Sequence, residues 1–348
     1  MKGNRDERMS KGRDSYFDNL KGALITLVVI GHFLLPMEQT RFVGSMFWGI
    51  YLFHMPMFVM ISGYFAKGIL KDGQFRADKV LRMIWLYILF ELVVYVTENL
   101  AAGTLFCEPI DFFYESGAPW YLLAMIWWYL SIPFVTAFQP KTAMVMVTGI
   151  ALLAGYSRTL GDGLAMSRTL TFAPFFYGGY FLRREQVQAF LGSRKKRLFP
   201  VLALGILLAA ALGCKSWLEP YCGIVYGMNY ARMGEELYIW GPVIRGVHFL
   251  LVLCVISGMM AVTPKGKMPW TKLGQRTLQI YILHRPIRDL MEYWGFYQRF
   301  TSQYRKTVVF IVILAVVTTV ILGNPWIEAG FKRLQEVPDK WFEKSKKG

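Results

Sequence analysis

A histidine lies deep in an apolar stretch near the start of the chain: His32 closes the run YFDNLKGALITLVVIGH over residues 16–32. An ionisable side chain inside a membrane-length apolar segment is disfavoured unless it faces the protein interior or a wet cavity, which makes it a functional candidate by default. On a helix at about 100° per residue, Lys21 and His32 fall within about 20° of one stripe and stand roughly 16 Å apart along the axis. Asp18 lies about 40° from the same stripe. One face therefore carries a carboxylate, an ammonium group and an imidazole, running from the charged start of the helix into its apolar interior. A neutral imidazole so placed could take up and return a proton. The alternative places Asp18 and Lys21 at headgroup level, with Lys21 snorkelling, and makes His32 a structural hydrogen-bonded contact.

Other polar groups recur in apolar surroundings. His54, His248 and His284 lie in or beside apolar segments, and Arg245 with His248, like Arg285 with Arg288, shares a helix face at i,i+3. Clustered at one cavity, these arginines could hold phosphates or a sugar-linked acceptor; otherwise they pair across helices with Glu91, Glu98 or Asp289. Pro56 is expected to open the backbone ladder of its segment, and Ser62 and Gly63 permit a close helix approach. The basic run Arg76, Lys79 and Arg82 has two readings, an orientation signal or a dock for an anion beside Lys21. Four cysteines (Cys107, Cys214, Cys222 and Cys254) lack metal-ligand spacing, so no metal is expected; Cys214 and Cys222 share a connection that a disulfide could close.

The elements that must position these groups are read from hydropathy. Of 348 residues, 55% are hydrophobic and 18% charged, and mean hydropathy is +0.35. Soluble domains carry about 25% charged residues, whereas here several apolar runs approach the ~20 residues that cross a bilayer. The fold class expected is all-α, a polytopic integral membrane protein with about ten transmembrane helices, near residues 18–36, 44–65, 80–100, 120–138, 142–157, 167–182, 198–213, 239–262, 273–293 and 307–327. The first, fifth, sixth and seventh are short. No small-residue cleavage site follows the first, so it is read as an uncleaved span.

The net charge of +16 is explained by orientation rather than by nucleic acid. Residues 2–21, 67–82, 141, 183–197, 265–276 and the C-terminal tail hold 28 of the 39 Lys and Arg. The connection 101–119 has none, only Glu108, Asp111 and Glu115. The positive-inside rule then puts both termini in the cytoplasm. The long connections 101–119 and 214–238 face outward and could form lids or acceptor-binding surfaces.

The ordered motifs resemble membrane acyltransferase family 3, closest to its fucose 4-O-acetylase-related branch. The opening YFDNLKG through His32 is similar to the family's first span, and HMPMFVMISGYF (residues 54–65) to its second. PWYLLA (119–124) resembles its mid-chain motif and GQRTLQIYILH (274–284) its late span. The resemblance implies ten core spans and transfer of acyl groups, usually acetyl from acetyl-CoA, to extracytoplasmic glycans. Its pattern of a basic residue, ten others and a histidine maps onto Lys21 and His32. Its Arg-x-x-Arg pattern maps onto Lys79 and Arg82, with one lysine in place of arginine, a point charge instead of a bidentate fork.

These readings give one membrane domain over 16–330, a disordered basic tail at 1–15 and a basic cytoplasmic tail at 331–348. The function expected is a cell-membrane O-acetyltransferase. His32 is the base or acyl relay, and Lys21, Lys79 and Arg82 hold the phosphates of the co-substrate acetyl-CoA. The acceptor is a cell-envelope polysaccharide or lipid-linked sugar; membrane lipids surround the chain, and no nucleic-acid partner is expected. The competing function is a transporter or exporter of such a polysaccharide or acyl-sugar.

Overall fold

In lipid every backbone amide must find its partner within the protein, and a helix does this within one segment. The computed structural model describes residues 14–37, 41–104, 109–115, 117–213, 221–300 and 304–338, and these are almost entirely helical. The longer helices are α1 (Ser15–Leu34), α2 (Arg41–Tyr51), α3 (His54–Phe65), α4 (Ala77–Ala102), α5 (Trp120–Val135), α6 (Pro140–Ala154), α7 (Met166–Phe181), α8 (Arg184–Gly192), α9 (Arg194–Gly213), α10 (Gly241–Val262), α11 (Thr277–Tyr293), α12 (Tyr304–Leu322) and α13 (Pro325–Gln335). Among the described residues, the one sheet is a two-residue hairpin pairing Leu70 with Phe75 and Lys71 with Gln74.

Each expected apolar segment coincides with a helix, but their lengths differ from expectation. Four segments are long and apolar enough to cross a membrane: Ser15–Met37, Met46–Ile69, Ala77–Ala102 and Gly241–Val262. A fifth is added if Lys306–Leu322 and Pro325–Gln335, bent by 61°, form one span. The first segment, expected to be short, spans 23 residues because a 3-10 turn extends α1 to Met37. The second breaks between α2 and α3, at Leu52 and Phe53. Pro56 has no N–H to offer the Leu52 carbonyl four residues back, so the ladder opens as expected, and the proline itself sits in the first turn of α3.

α1 forms the centre of the bundle. Leu20, Leu24, Ile25, Val28, Val29 and Phe33 are all essentially inaccessible, as expected for a largely apolar helix packed against several neighbours. It contacts α2, α3, α11 and α12, while α3 packs on α7, α9 on α10, and α4 on α5 and α11. The α3–α7 contact depends on reciprocal glycines. A Cβ on Gly63 would meet the Phe176 carbonyl, and one on Gly179 the Met60 carbonyl. The outer helices expose apolar side chains instead, among them Leu92 and Leu100 on α4 and Val309, Ile313 and Val320 on α12. An apolar rim around a closed core is the surface a bilayer requires.

α13 runs past residue 330, where the basic tail was expected to begin. Phe331 is buried, Glu328 pairs with Arg276 at 2.6 Å, and the Trp85 indole donates to the Leu334 carbonyl at 2.8 Å. Residues 1–13 and 339–348, on which the expected tails fall, lie outside the described residues, as do Cys107 and Cys214. The expected Cys214–Cys222 pair therefore falls outside them too; Cys222 and Cys254 are free thiols.

Candidate functional site

The site begins with how α1 is fixed against α11. Asp14 caps α1 by accepting from the Tyr16 amide at 3.0 Å, and the Tyr16 hydroxyl donates to the Met260 carbonyl at 2.8 Å. The Asn19 amide group donates to the Pro264 and Gly266 carbonyls at 2.8 and 2.6 Å, and its oxygen accepts from the Thr271 hydroxyl. A Cβ on Gly274 would collide with the Asp18 carbonyl, so the turn Thr271–Gly274 lies directly on α1. From that contact α1 and α11 run the same way, and ten to fourteen residues, roughly 15–21 Å of helix, bring His284 beside His32.

His32 Nδ1 and His284 Nε2 are 2.8 Å apart, and His284 Nδ1 is 3.0 Å from the Ile280 carbonyl. His284 is fully buried, whereas His32 opens on a cavity of about 160 Å³ that His54, Tyr51, Arg168 and Arg285 also line. His54 Nδ1 donates to the Ile50 carbonyl at 2.9 Å, and its ring meets Tyr51 edge-on. Both long connections reach this cavity, through Gly117 and Ala118 from one and Tyr226 and Met228 from the other.

Polar contacts pin those connections. The Tyr281 hydroxyl donates to the Ala118 carbonyl, and the Ser167 hydroxyl to Gly227 at 2.7 Å. Arg168 pairs with Asp162 at 2.8 Å, donates to the Gly117 carbonyl at 3.4 Å and lies over the Trp120 ring. Glu115 accepts the Gly117 amide at 2.5 Å. Burial, then the hydrogen-bonded Glu91 carboxyl, raise the Glu115 carboxyl well above the usual carboxylate range.

A second cavity, of about 280 Å³, lies toward the start of α1 and is lined by Lys21. Val28, Met55 and Tyr281 border both cavities, so the two adjoin. Asp18, only 2% exposed, pairs with Lys21 at 2.8 Å and accepts from the Gln275 amide at 3.2 Å. It is an interior group of the protein. The Lys21 ammonium lies 5.6 Å from the Phe65 ring centre, and three residues further on the Gly68 carbonyl accepts from Lys79 at 3.0 Å. Lys79 and Arg82 stand on the first turns of α4 and line neither cavity.

The stripe reading thus places Lys21 and His32 on two successive chambers, and misses His284, Tyr281 and Arg168. His284 was visible as a further histidine in an apolar segment, but nothing in spacing links it to His32, 252 positions away. The arginines do not gather at one cavity. Arg285 lines the His32 cavity and pairs with Asp289 on its own helix at 2.6 Å; Arg288 pairs with Asp289 and Glu292. Arg245, fully buried, donates to the Ala151 carbonyl at 3.0 Å and to the Met228 carbonyl, with the Tyr230 ring against it. Among the described residues no group of His, Cys, Asp or Glu is placed to hold a metal ion.

A helical membrane protein that sets a histidine pair beside two adjoining chambers is the class the fold and site define. The family model of the acyltransferase domain Acyl_transf_3 matches residues 14–323, and the chain belongs to that acyltransferase family. It is similar to nodulation protein NolL of Sinorhizobium fredii, 26% identical over 90% of this chain and 87% of that protein. It is also similar to nodulation protein NolL of Mesorhizobium japonicum, 24% identical over 91% and 92%. No solved structure matches it.

Proposed function

We propose that this acyltransferase moves acetyl from acetyl-CoA to a hydroxyl of a cell-envelope polysaccharide or lipid-linked sugar, with His32 as general base. The observation that carries the reading is the meeting of the two chambers at Val28, Met55 and Tyr281, one lined by Lys21 and the other by His32. A donor with an anionic head and a narrow thioester arm suits the first. Lys21 meets the head, Ile25, Met55 and Phe58 flank the arm, and the Ser62, Tyr121 and Thr277 hydroxyls can bond its amides. Lys79 and Arg82 on α4 extend the positive charge toward the head. The second chamber, walled by both long connections, receives the acceptor.

His32 takes the proton of the acceptor hydroxyl as the oxygen attacks the thioester carbonyl. The C–O bond forms, the C–S bond breaks, and His32 returns the proton to the departing thiolate, leaving an ester and a free thiol. Asp18 holds Lys21 in place and stays outside the reaction.

Lys21→Ala and Arg82→Ala are expected to raise the donor KM more than the acceptor KM, since a lost charge-assisted contact costs about 1.5–3 kcal/mol. Steady-state kinetics with each substrate varied in turn reads this directly. Unchanged donor constants in both variants would return these residues to setting orientation.

The reading also requires the donor on the cytoplasmic side of the cell membrane, with about ten spans and both termini cytoplasmic. Reporter fusions after residues 73, 190 and 348 should then report the cytoplasm, and fusions after 110 and 225 the outer side. A cytoplasmic signal at 110 would overturn the arrangement.

A further inference from the structure

His284 touches His32 and the backbone and borders neither chamber, so its role has to act through His32. A carbonyl oxygen only accepts hydrogen bonds, so the 3.0 Å contact with Ile280 places a proton on His284 Nδ1. In a neutral ring, Nε2 of the same residue is then an acceptor. The 2.8 Å contact with His32 Nδ1 is a hydrogen bond only if His32 donates. For two neutral rings this is the single assignment that satisfies both contacts, and it leaves the lone pair of His32 on Nε2.

We infer that His284 is the positioning residue for His32: it holds the proton on His32 Nδ1 and so presents Nε2 to the acceptor hydroxyl. The inference rests on His32 being the base. The chain runs from the Ile280 carbonyl through two imidazoles to the reacting oxygen, with each proton's place fixed by the group behind it. Its effect grows during the reaction. As Nε2 takes the hydroxyl proton, His32 becomes a cation and its Nδ1–H bond to His284 becomes charge-assisted, about twice the strength of a neutral one. A contact that strengthens only as the proton moves raises kcat rather than substrate affinity. His54 Nδ1 bonds the Ile50 carbonyl at 2.9 Å, while the imidazole at hydrogen-bond distance from His32 Nδ1 is that of His284.

The test is nitrogen NMR on purified protein with labelled histidine, joined to kinetics. In the wild type, His32 Nδ1 should resonate as a protonated nitrogen and Nε2 as an unprotonated one. In His284→Ala the lock is lost, His32 should show a mixture of tautomers, and kcat should fall about a hundredfold, at the low end of general-base effects, with donor KM within about twofold. His284→Gln places an amide oxygen near the former Nε2 and should recover both the tautomer and part of kcat. An unprotonated Nδ1 in the wild type would overturn the inference, as would equal losses in His284→Ala and His284→Gln, since packing alone would then explain them. The spectrum needs neither donor nor acceptor, so it fails separately from the base assignment, which falls only if His32→Gln keeps normal transfer.

Discussion

Replacing His32 with alanine is expected to leave a folded, membrane-inserted protein whose acyl transfer is lowered by about 10²–10⁴-fold, the scale of a positioned proton transfer. The expectation follows from its place in the wall of the second chamber, one turn beyond Val28, where the two chambers meet. Gln at this position keeps a hydrogen-bonding group but has no basic nitrogen, so His32→Gln should be nearly as inactive as His32→Ala. His54→Ala should retain far more activity, because no basic residue shares a helix stripe with His54 as Lys21 does with His32. His248→Ala should do the same, since His248 lines neither chamber. Transfer rates of the four variants in one detergent preparation, with size-exclusion profiles to verify folding, provide the comparison. Near-normal turnover by His32→Gln would make the imidazole a structural contact.

Gly63→Ala is expected to have a large effect on folding. The added methyl group would meet the carbonyl and Cα of Phe176, and backbone in a packed helix pair cannot step aside as a side chain can. Overpacking usually costs about 1–3 kcal/mol, and this position should reach or exceed the upper end, because α3 and α7 would have to separate along their length. The separation would also move Ser62 and the neighbouring wall of the Lys21 chamber. Gly149→Ala on α6 is the matched control, since nothing lies within 4 Å of its Cβ position. Thermal unfolding in detergent should show a large drop for the first variant and little change for the second. Equal behaviour would mean that the α3–α7 contact yields more readily than its geometry implies.

Much of the fold was legible because lipid imposes it. Apolar runs with polar connections must be helices, and each expected segment coincides with one. The interruption of the second segment was legible in Pro56, which has no N–H for the carbonyl of Leu52, where the break falls. The length of α1 was underestimated at both ends, where Ser15 starts it behind the Asp14 cap and the turn through Met37 prolongs it. Within the site, periodicity could relate Lys21 to His32, because both are on one helix. It could not relate either to His284, whose approach depends on the Asn19–Thr271 bond and the bare backbone at Gly274. Pairing of the arginines with Asp289 was one of the two readings, but as a cross-helix contact; Arg285 and Asp289 are helix neighbours at i,i+4 and pair within one helix.

The proposed activity is transfer of acetyl from a cytoplasmic thioester donor to an acceptor hydroxyl. The measurement that tests it most directly is transfer of label from [acetyl-¹⁴C]acetyl-CoA by the purified protein reconstituted in vesicles with envelope glycan or lipid-linked sugar. The account predicts label in the glycan as an alkali-labile ester, release of free thiol in equal amount, and loss of both in His32→Gln. Movement of unmodified glycan across the vesicle membrane with no thiol released would contradict it and identify a transporter.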